Sequence, residues 1–480
     1  MTPPKRQLGL GVAASIVIAN MIGFGVFTST GYQAISLHDP VTILIAWVVG
    51  GVLALAGASV YSELGVLMPC AGGEYVYLSE AYHPAVGFMS GWVSLTAGFS
   101  AAIATAALAF AKYVGFLAPG IDSHETWSNL VFTVDGHTIT LLTLGPQQAL
   151  AVALITVITL LHSFDTKVGG WVQAAFTAAK VLLIVVFIVG GLAFGHGDWS
   201  HFASQGGGLA NIGTPAFAMA LMYVSLAYSG WNAAAYIAGE IEKPEKTLPR
   251  ALLLGTGVVT ILYVLLNVVF FYAVPSDGLA GPPPVEEVGA VAATALFGSR
   301  AGELITSVIA LALVSAVSAM VMAGPRVYAA MAANRALPAR LAYYNKRGVP
   351  TVAVIAQGVI ASLFVLVGDL GSLMRFVSFT LAIFAALTVG ALFILRRRGM
   401  RGAYSTPLYP ITPIVFIAAS AWIAFAQVRE NPVESLVVVG VLAVGALLYL
   451  VFGNRPMSDK LAHLPEARIV DDLHRDDDAP

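Results

Sequence analysis

The sequence predicts an all-α polytopic membrane protein with about 12 transmembrane helices. Of its 480 residues, 58% are hydrophobic and only 10% are charged, whereas roughly a quarter of the residues in a soluble domain are charged. Apolar stretches of about 20 residues, the length that crosses a bilayer, recur along the whole chain. Lys and Arg residues also collect in alternate connecting segments, as they do in polytopic proteins.

The apolar stretches are separated mostly by segments that contain glycine and proline. We place the spans at approximately these positions: 8–35, 41–67, 85–117, 146–163, 166–195, 212–238, 250–274, 301–325, 351–368, 370–395, 410–428 and 434–453. Two further features lie on the predicted outer side. Residues 131–140 are expected to form a small hairpin that turns at Asp135-Gly136, and residues 276–300 are expected to form a turn and a short helix over the outer vestibule.

The placement of basic residues tests this span count. With the N-terminus inside, 19 of the 24 Lys and Arg residues fall on the inner side. Because basic loops stay in the cytoplasm, the sequence predicts cytoplasmic N- and C-termini in a plasma (inner) membrane. The short basic segment 1–7 has no small-residue cleavage site after it, so the first span is expected to be retained. The polar tail 454–480 is expected to be disordered.

The first span is interrupted at its centre by Gly23 and Gly25. Each glycine costs roughly 1 kcal/mol of helix propensity relative to alanine. Non-helical backbone is tolerated at membrane depth only where it is buried in protein or lines a wet cavity. We interpret the segment as an unwound stretch whose free N–H and C=O groups bind a polar ligand. The alternative is a close helix–helix contact, which small residues also serve.

A second interruption favours the ligand-binding interpretation. The sixth span breaks at Tyr228-Ser229-Gly230-Trp231-Asn232. Five spans then form each half, spans 1–5 in residues 8–195 and spans 6–10 in residues 212–395, and residues 410–453 add spans 11 and 12. Because an odd number of spans ends on the side of the membrane opposite to where it began, the second half must be inverted relative to the first. Paired interruptions in inverted halves are the best sequence indication of a transporter's central site.

Lys180 is the one charge near the middle of a span. It lies about 14 residues from each end of the fifth span, roughly 20 Å from either surface, which is too far for its side chain to reach the interface. A charge at this depth is a functional-site hypothesis by default. The charges Lys112, Arg375 and Glu63 lie near span ends, and we expect them to anchor at the interface.

No acidic residue lies in the core of any predicted span, so the expected partners of Lys180 are backbone carbonyls freed at Gly23 and the hydroxyls of Ser315 and Ser318. Two roles follow: Lys180 carries a proton during the cycle, or it stands as a fixed cation. A membrane enzyme is not predicted, since the nine histidines form no ligand spacing and Cys70 is the single cysteine. No catalytic group, metal, cofactor, nucleic acid or partner subunit is inferred.

Several motifs resemble the amino acid–polyamine–organocation (APC) superfamily, near its L-amino-acid-transporter branch. The matching stretches are Gly23-Phe24-Gly25-Val26-Phe27, Tyr61-Ser62-Glu63-Leu64-Gly65, Gly72-Gly73-Glu74-Tyr75, the span from Gln173 to Lys180, Ala227-Tyr228-Ser229-Gly230-Trp231-Asn232, and Pro244-Glu245-Lys246-Thr247-Leu248-Pro249. The match runs from about Leu8 to Pro410. Together these motifs are specific, although each alone is weak.

The resemblance implies a leucine-transporter-type fold, a 5+5 inverted repeat with broken helices 1 and 6. It also implies an amino acid substrate whose carboxylate meets backbone amides of the first span and whose ammonium meets carbonyls of both breaks. The implied substrate-binding residues are Ile22, Gly23, Phe24, Gly25, Val26, Leu226, Ala227, Ser229 and Gly230. Half-helix N-termini suit a carboxylate and half-helix C-termini suit an ammonium.

Gating residues are implied with less detail. Leu226 stands where several relatives have a gating aromatic residue, and Phe24 stands where the family has a small serine. Phe24 therefore narrows the pocket or forms the lid itself. Trp231 completes the implied gating set.

The implied activity is secondary active transport of amino acids by alternating access. In the family, a lysine at the position of Lys180 replaces one sodium ion, so the transport is expected to be sodium-independent. Proton-coupled symport and amino acid exchange stay open, with a proton or a counter-substrate as the second partner. An amino acid-sensing receptor and a polyamine or organocation carrier are the alternatives. The lack of a core carboxylate favours neutral substrates.

Overall fold

The protein forms a bundle of membrane-length helices. The computed structural model describes residues 8–69, 72–118, 127–134, 137–164, 169–203, 208–281, 283–333 and 336–453. The predicted segments 1–7 and 454–480, together with Cys70, lie outside the described residues. The predicted all-α polytopic class is confirmed.

Ten segments build the first half of the chain. Its helices are α1 (Leu10–Met21), α2 (Gly25–Leu37), α3 (Pro40–Leu67), α4 (Glu74–Ala81), α5 (Pro84–Val93), α6 (Ala102–Leu117), α7 (Pro146–Phe164) and α8 (Gly169–Phe194), and its strands are β1 (Ser128–Val134) and β2 (His137–Leu144). A π-helical segment, Ser94–Ala101, joins α5 to α6 without a break. The strands pair antiparallel and match Val134 with His137, which confirms the predicted pairing. The predicted turn at Asp135-Gly136 lies outside the described residues.

The second half of the chain contains nine further helices. They are α9 (Pro215–Ala227), α10 (Pro244–Ala273), α11 (Ser276–Leu279), α12 (Val288–Phe297), α13 (Ser299–Ala333), α14 (Thr351–Val367), α15 (Leu370–Arg397), α16 (Ile411–Glu430) and α17 (Pro432–Leu448). Short 3-10 segments lie at Trp199–Phe202, Gly208–Asn211, Ala233–Glu240 and Ala339–Ala342, and a π-helical turn lies at Tyr449–Gly453.

The helices account for the twelve predicted spans. Among the described residues, nine continuous helices are long and apolar enough to cross a membrane, and α1 with α2 forms a tenth span that is bent by 42°. The shorter apolar helices α9 and α14 supply the sixth and ninth spans. The two interruptions thus fall in the first span of each predicted half, while the boundaries of the halves stay a prediction.

The packing brings the two broken spans together. Helix α1 packs along α10, α2 packs along α9, and α3 contacts both α9 and α10. A parallel bridge joins Leu8 to Ile241, so the start of α1 is tied to the end of the sixth span. We call this end of the bundle the basic end, because it also holds Arg396 and Arg340. The other end, with the β-hairpin and α12, is the hairpin end.

Candidate functional site

The first break leaves a bent joint between α1 and α2. Ile22, directly after α1, has an extended backbone with φ −73° and ψ 92°. A Cβ atom on Gly25 would lie 2.5 Å from the backbone Cα of Ala227, whereas a Cβ on Gly23 would meet its nearest atom at 3.9 Å. Gly25 is therefore required for the close approach of the sixth span, and Gly23 is not sterically forced.

Side chains from other spans satisfy the carbonyls that the first break releases. The Tyr263 hydroxyl of α10 donates to the Met21 carbonyl at 2.6 Å, and the Lys180 Nζ of α8 donates to the Ile22 carbonyl at 3.3 Å. The Phe24 carbonyl differs, because it accepts from within the same span, from the Thr28 hydroxyl of α2 at 3.1 Å. Because these carbonyls lie at membrane depth, each bond avoids the cost of an unpaired buried group.

The start of α2 presents backbone N–H groups towards the break. The first helical bond of α2 runs from the Phe27 amide to the Phe24 carbonyl, so the amides of Gly25 and Val26 precede the helical ladder. The residue before the helix, Phe24, supplies no capping side chain. Free amides and the positive end of the helix dipole together suit a carboxylate.

The second break is built differently. Helix α9 ends at Ala227, and the amides of Tyr228 and Ser229 donate back to carbonyls of α9 at 3.0 and 2.9 Å. Gly230 then has a left-handed φ of 99°, and a Cβ there would lie 2.6 Å from the Asn20 carbonyl oxygen. The two breaks thus contact each other at Gly25–Ala227 and at Gly230–Asn20. The N-terminal end of α2 and the C-terminal end of α9 therefore lie against one another.

Lys180 lies inside the protein, with 3% of its surface exposed. Its amine contacts the Ile22 carbonyl, one of the carbonyls beside Gly23 that were expected as its partners. No ion pair to Lys180 is found among the described residues. Ser315 is also buried, and its hydroxyl has no hydrogen-bond partner among those residues. The hydroxyl of Ser318 instead pairs with Nε2 of His162 at 2.8 Å.

His162 was missed by the sequence analysis. It lies on the last turn of α7 and reaches across to α13. The only available signal was a histidine at the end of an apolar span, which is usually an interfacial residue. Its partner on the eighth span cannot be read from spacing along the chain.

The implied gating residues are all buried but have different neighbours. Phe24 and Leu226 are buried at the two breaks. Trp231 packs edge-on against Tyr61, with ring centroids 4.7 Å apart, and against Phe416 at 6.2 Å. Trp231 is therefore wedged between α3 and α16, and the three gating assignments stay predictions.

Ion pairs close the hairpin end over α2. Lys112 pairs with Glu286 at 2.9 Å, and Glu286 also accepts a hydrogen bond from the Tyr32 hydroxyl. Arg375 pairs with Glu434 at 2.7 Å, and the ring of Tyr32 stacks on Tyr223 at 5.1 Å. The segment before α12 thus lies over the end of the first span. A turn and a short helix were expected in this region, residues 276–300, and α12 is that helix.

At the basic end, a bidentate pair joins α3 to α15. The Glu63 carboxylate accepts two hydrogen bonds from the Arg396 guanidinium, both at 2.7 Å, and a third from the Thr406 amide. Lys112, Arg375 and Glu63 were expected to anchor at the membrane interface. Each forms an ion pair within the protein, and their position at the membrane interface stays a prediction.

Glu74 joins the second break to α4. Its carboxylate accepts from the Tyr61 hydroxyl at 2.6 Å and from the Asn232 side-chain amide at 3.0 Å. No ion pair to Glu74 is found among the described residues, and burial raises the pKa of its carboxyl. This residue ties the first turn after Gly230 to α3 and α4.

Comparisons with known proteins agree with this geometry. Residues 8–452 match the sequence profile of the family described as "Amino acid permease". The chain is 32% identical to the serine/threonine exchanger SteT of Bacillus subtilis over 424 residues, which cover 87% of this chain and 90% of that protein. It is 30% identical over 461 residues to the human b(0,+)-type amino acid transporter 1, covering 94% and 88% of the two chains. The human large neutral amino acids transporter small subunit 2 is 27% identical over 454 residues, covering 93% and 80%.

Proposed function

Because the chain belongs to the amino acid permease family, and is therefore an amino acid transporter and not an enzyme, we propose that it carries neutral amino acids by sodium-independent exchange. The resemblance to the APC superfamily is thereby confirmed. Beyond family membership, the proposal specifies how transport is coupled, which class of amino acid is carried and which residues bind it.

One observation carries the proposal: two interrupted spans contact each other and present opposite backbone charges. The amides of Gly25 and Val26 at the start of α2 would bind the substrate carboxylate. Carbonyls of Leu226, Ala227 and Ser229 at the end of α9 would bind its ammonium. Phe24 and Leu226, both buried beside the breaks, would cover the bound substrate, and Trp231 would follow when the sixth span moves.

Lys180 supports independence from sodium. Its ammonium already donates to the Ile22 carbonyl, so a sodium ion that used the same carbonyl would meet a like charge at close range. In this proposal Lys180 is a fixed cation that holds the first break. Ser315 and Ser318 lie on α13, which packs against α8. The Ser315 hydroxyl, which has no partner among the described residues, is available to the amine when α8 shifts.

Exchange is favoured by the relative whose name states that activity, the serine/threonine exchanger of Bacillus subtilis. Proton-coupled symport is the second candidate. In this alternative Lys180, which is buried and has no ion-pair partner among the described residues, carries a proton during the cycle.

The remaining parts of the proposal concern topology and assembly. The Lys and Arg placement supports cytoplasmic termini and a plasma (inner) membrane location. One relative is by its name a small subunit, so a partner subunit has to be tested directly. We propose that the single chain suffices for transport.

The test is uptake of radiolabelled amino acids by the purified single chain in liposomes. Exchange predicts saturable uptake only into vesicles that are preloaded with amino acid, unchanged when sodium is replaced by potassium. Uptake into empty vesicles that is driven by acid outside pH would support symport instead. Saturable binding without uptake in either arm would contradict transport and support a sensor.

A further inference from the structure

A cavity at the basic end belongs to neither break. It has a volume of about 490 Å³ and lies between the 3-10 segment Ala339–Ala342 and the first turn of α14. Its walls are formed by Ala339, Arg340, Ala342, Tyr343 and Val352. The walls are therefore mostly apolar, with one cation and one phenol among them.

The cation in this cavity is Arg340, and no described residue pairs with it. Arg340 is exposed, and no hydrogen bond or ion pair to its guanidinium is found among the described residues. Residues 304–368 contain five Lys and Arg residues and no Asp or Glu, so the surrounding chain supplies no countercharge. A planar guanidinium with free donors is suited to bidentate recognition of a phosphate.

Two tyrosines flank the cation. Tyr343 is 60% exposed and Tyr344 is 48% exposed. Tyrosine is enriched where a membrane protein meets the lipid headgroups, since its ring is apolar and its hydroxyl is polar. Exposed tyrosines beside the end of α13 and the start of α14 are typical of the headgroup level, and Tyr343 lines the cavity together with Arg340, so its hydroxyl is a second donor there.

An apolar stripe begins in the cavity and runs along α14. Val352, a wall of the cavity, is 37% exposed, and Ile355 and Val359 are 45% and 55% exposed. Leu363 and Val367 continue the stripe at 55% each. Steps of three and four residues keep these side chains on one face of the helix, so the stripe extends from the headgroup level across the span.

We propose that this cavity binds the headgroup of one anionic phospholipid, whose acyl chains lie along the α14 stripe. Arg340 and the Tyr343 hydroxyl hold the phosphate, and the apolar walls enclose the glycerol backbone. A soluble phosphate would leave the stripe uncovered. An acidic peptide segment would cover the cavity but would not follow an apolar stripe into the bilayer.

The test uses the full-length protein in nanodiscs with equal parts phosphatidylglycerol and phosphatidylcholine. After transfer to detergent, native mass spectrometry counts the retained lipids. We expect one phosphatidylglycerol in preference to phosphatidylcholine. Arg340→Gln should lower this retention about fivefold, the change that one cation near an anionic membrane surface produces.

Arg429→Gln is the matched control, because Arg429 is also an exposed arginine at a helix end but lies away from the cavity. It should retain phosphatidylglycerol like the wild type. Equal retention of the two lipids by the wild type, or equal loss in both variants, would overturn the proposal. Competition by glycerol 3-phosphate would also overturn it, because the ligand would then be a soluble anion. If Arg340→Gln does not fold, Arg340→Lys takes its place, with a smaller loss expected.

Discussion

The two broken spans satisfy the backbone groups that their breaks release in different ways. At the first break, the released carbonyls of Met21 and Ile22 are bonded by Tyr263 and Lys180, which belong to two other spans. At the second break, the chain mostly bonds to itself through the turns that follow Val224 and Leu226. The first break is therefore stabilised by side chains of other spans, and the second mainly by backbone hydrogen bonds within its own segment.

In the proposed site, this difference sets what each break would offer a substrate. The first break leads into the start of α2, so it offers N–H groups. The second follows the end of α9, so it offers carbonyls. Because the first joint depends on distant side chains, substitutions on α8 and α10 should affect it. The second joint should be affected mainly by changes to its own backbone, above all at Gly230.

The largest effect is expected for Lys180→Met. This change removes the donor to the Ile22 carbonyl and leaves that carbonyl unpaired at membrane depth. Exchange in preloaded liposomes should fall to background, while the protein still elutes as a single species. Lys112→Met, which removes a lysine from the hairpin end, should keep a clearly larger share of uptake. Full uptake by Lys180→Met would show that Lys180 is not required for transport.

Alanine at the two contact glycines should be almost as damaging. A Cβ on Gly25 or Gly230 would overlap backbone atoms of the other broken span. Overpacking of this kind costs about 1–3 kcal/mol, and uptake should fall at least about tenfold as the breaks are forced apart. Gly257→Ala on α10 is the control, because a Cβ there meets nothing within 4 Å. If all three variants behave alike, the close approach of the breaks is not required.

A smaller effect should separate the two joints. Tyr263→Phe removes the hydroxyl that bonds the Met21 carbonyl, and Tyr228→Phe removes one that bonds the Trp47 carbonyl on α3. Each should cost about 1–3 kcal/mol of stability, seen as a lower melting temperature. Only Tyr263→Phe should also raise the KM for amino acid, since it alone touches the first break. Equal KM changes would contradict the comparison.

The smallest effect concerns the pH dependence of stability through Glu74. Burial raises the pKa of this carboxyl in the folded protein above its ordinary value of 4.5. The folded state therefore holds the proton more tightly, and the protein should lose stability as the pH rises from 4.5 through the raised pKa. Glu74→Gln keeps acceptors for Tyr61 and Asn232 but cannot titrate. Its melting temperature should lose this part of the pH dependence, and an unchanged profile would contradict the assignment.

Local signals in the sequence predicted much of this architecture. Span length and basic loops predicted the helices, paired glycines predicted the first break, and a charge far from either surface predicted the buried position of Lys180. The partners that complete the site were not predictable. Tyr263 bonds Met21, Glu74 bonds Asn232 and His162 bonds Ser318, each across more than about 100 residues. A tyrosine or histidine in an apolar span does not indicate by itself which residue it will bond.

The charges near the span ends show the same limit. Arg375 and Glu63 lie near span ends, where the sequence favours an anchor in the headgroups. Their partners Glu434 and Arg396 come from spans that only the folded bundle brings alongside. Hydropathy reports the depth of a residue in the membrane but not its neighbours at that depth.

The most direct test of the two-break site is an electron cryo-microscopy map of the protein with a saturating neutral amino acid. The account predicts ligand density between the breaks, with the carboxylate against the amides of Gly25 and Val26 and the ammonium towards the carbonyls of Ala227 and Ser229. A continuous helix through either break, or ligand density away from both of them, would contradict it.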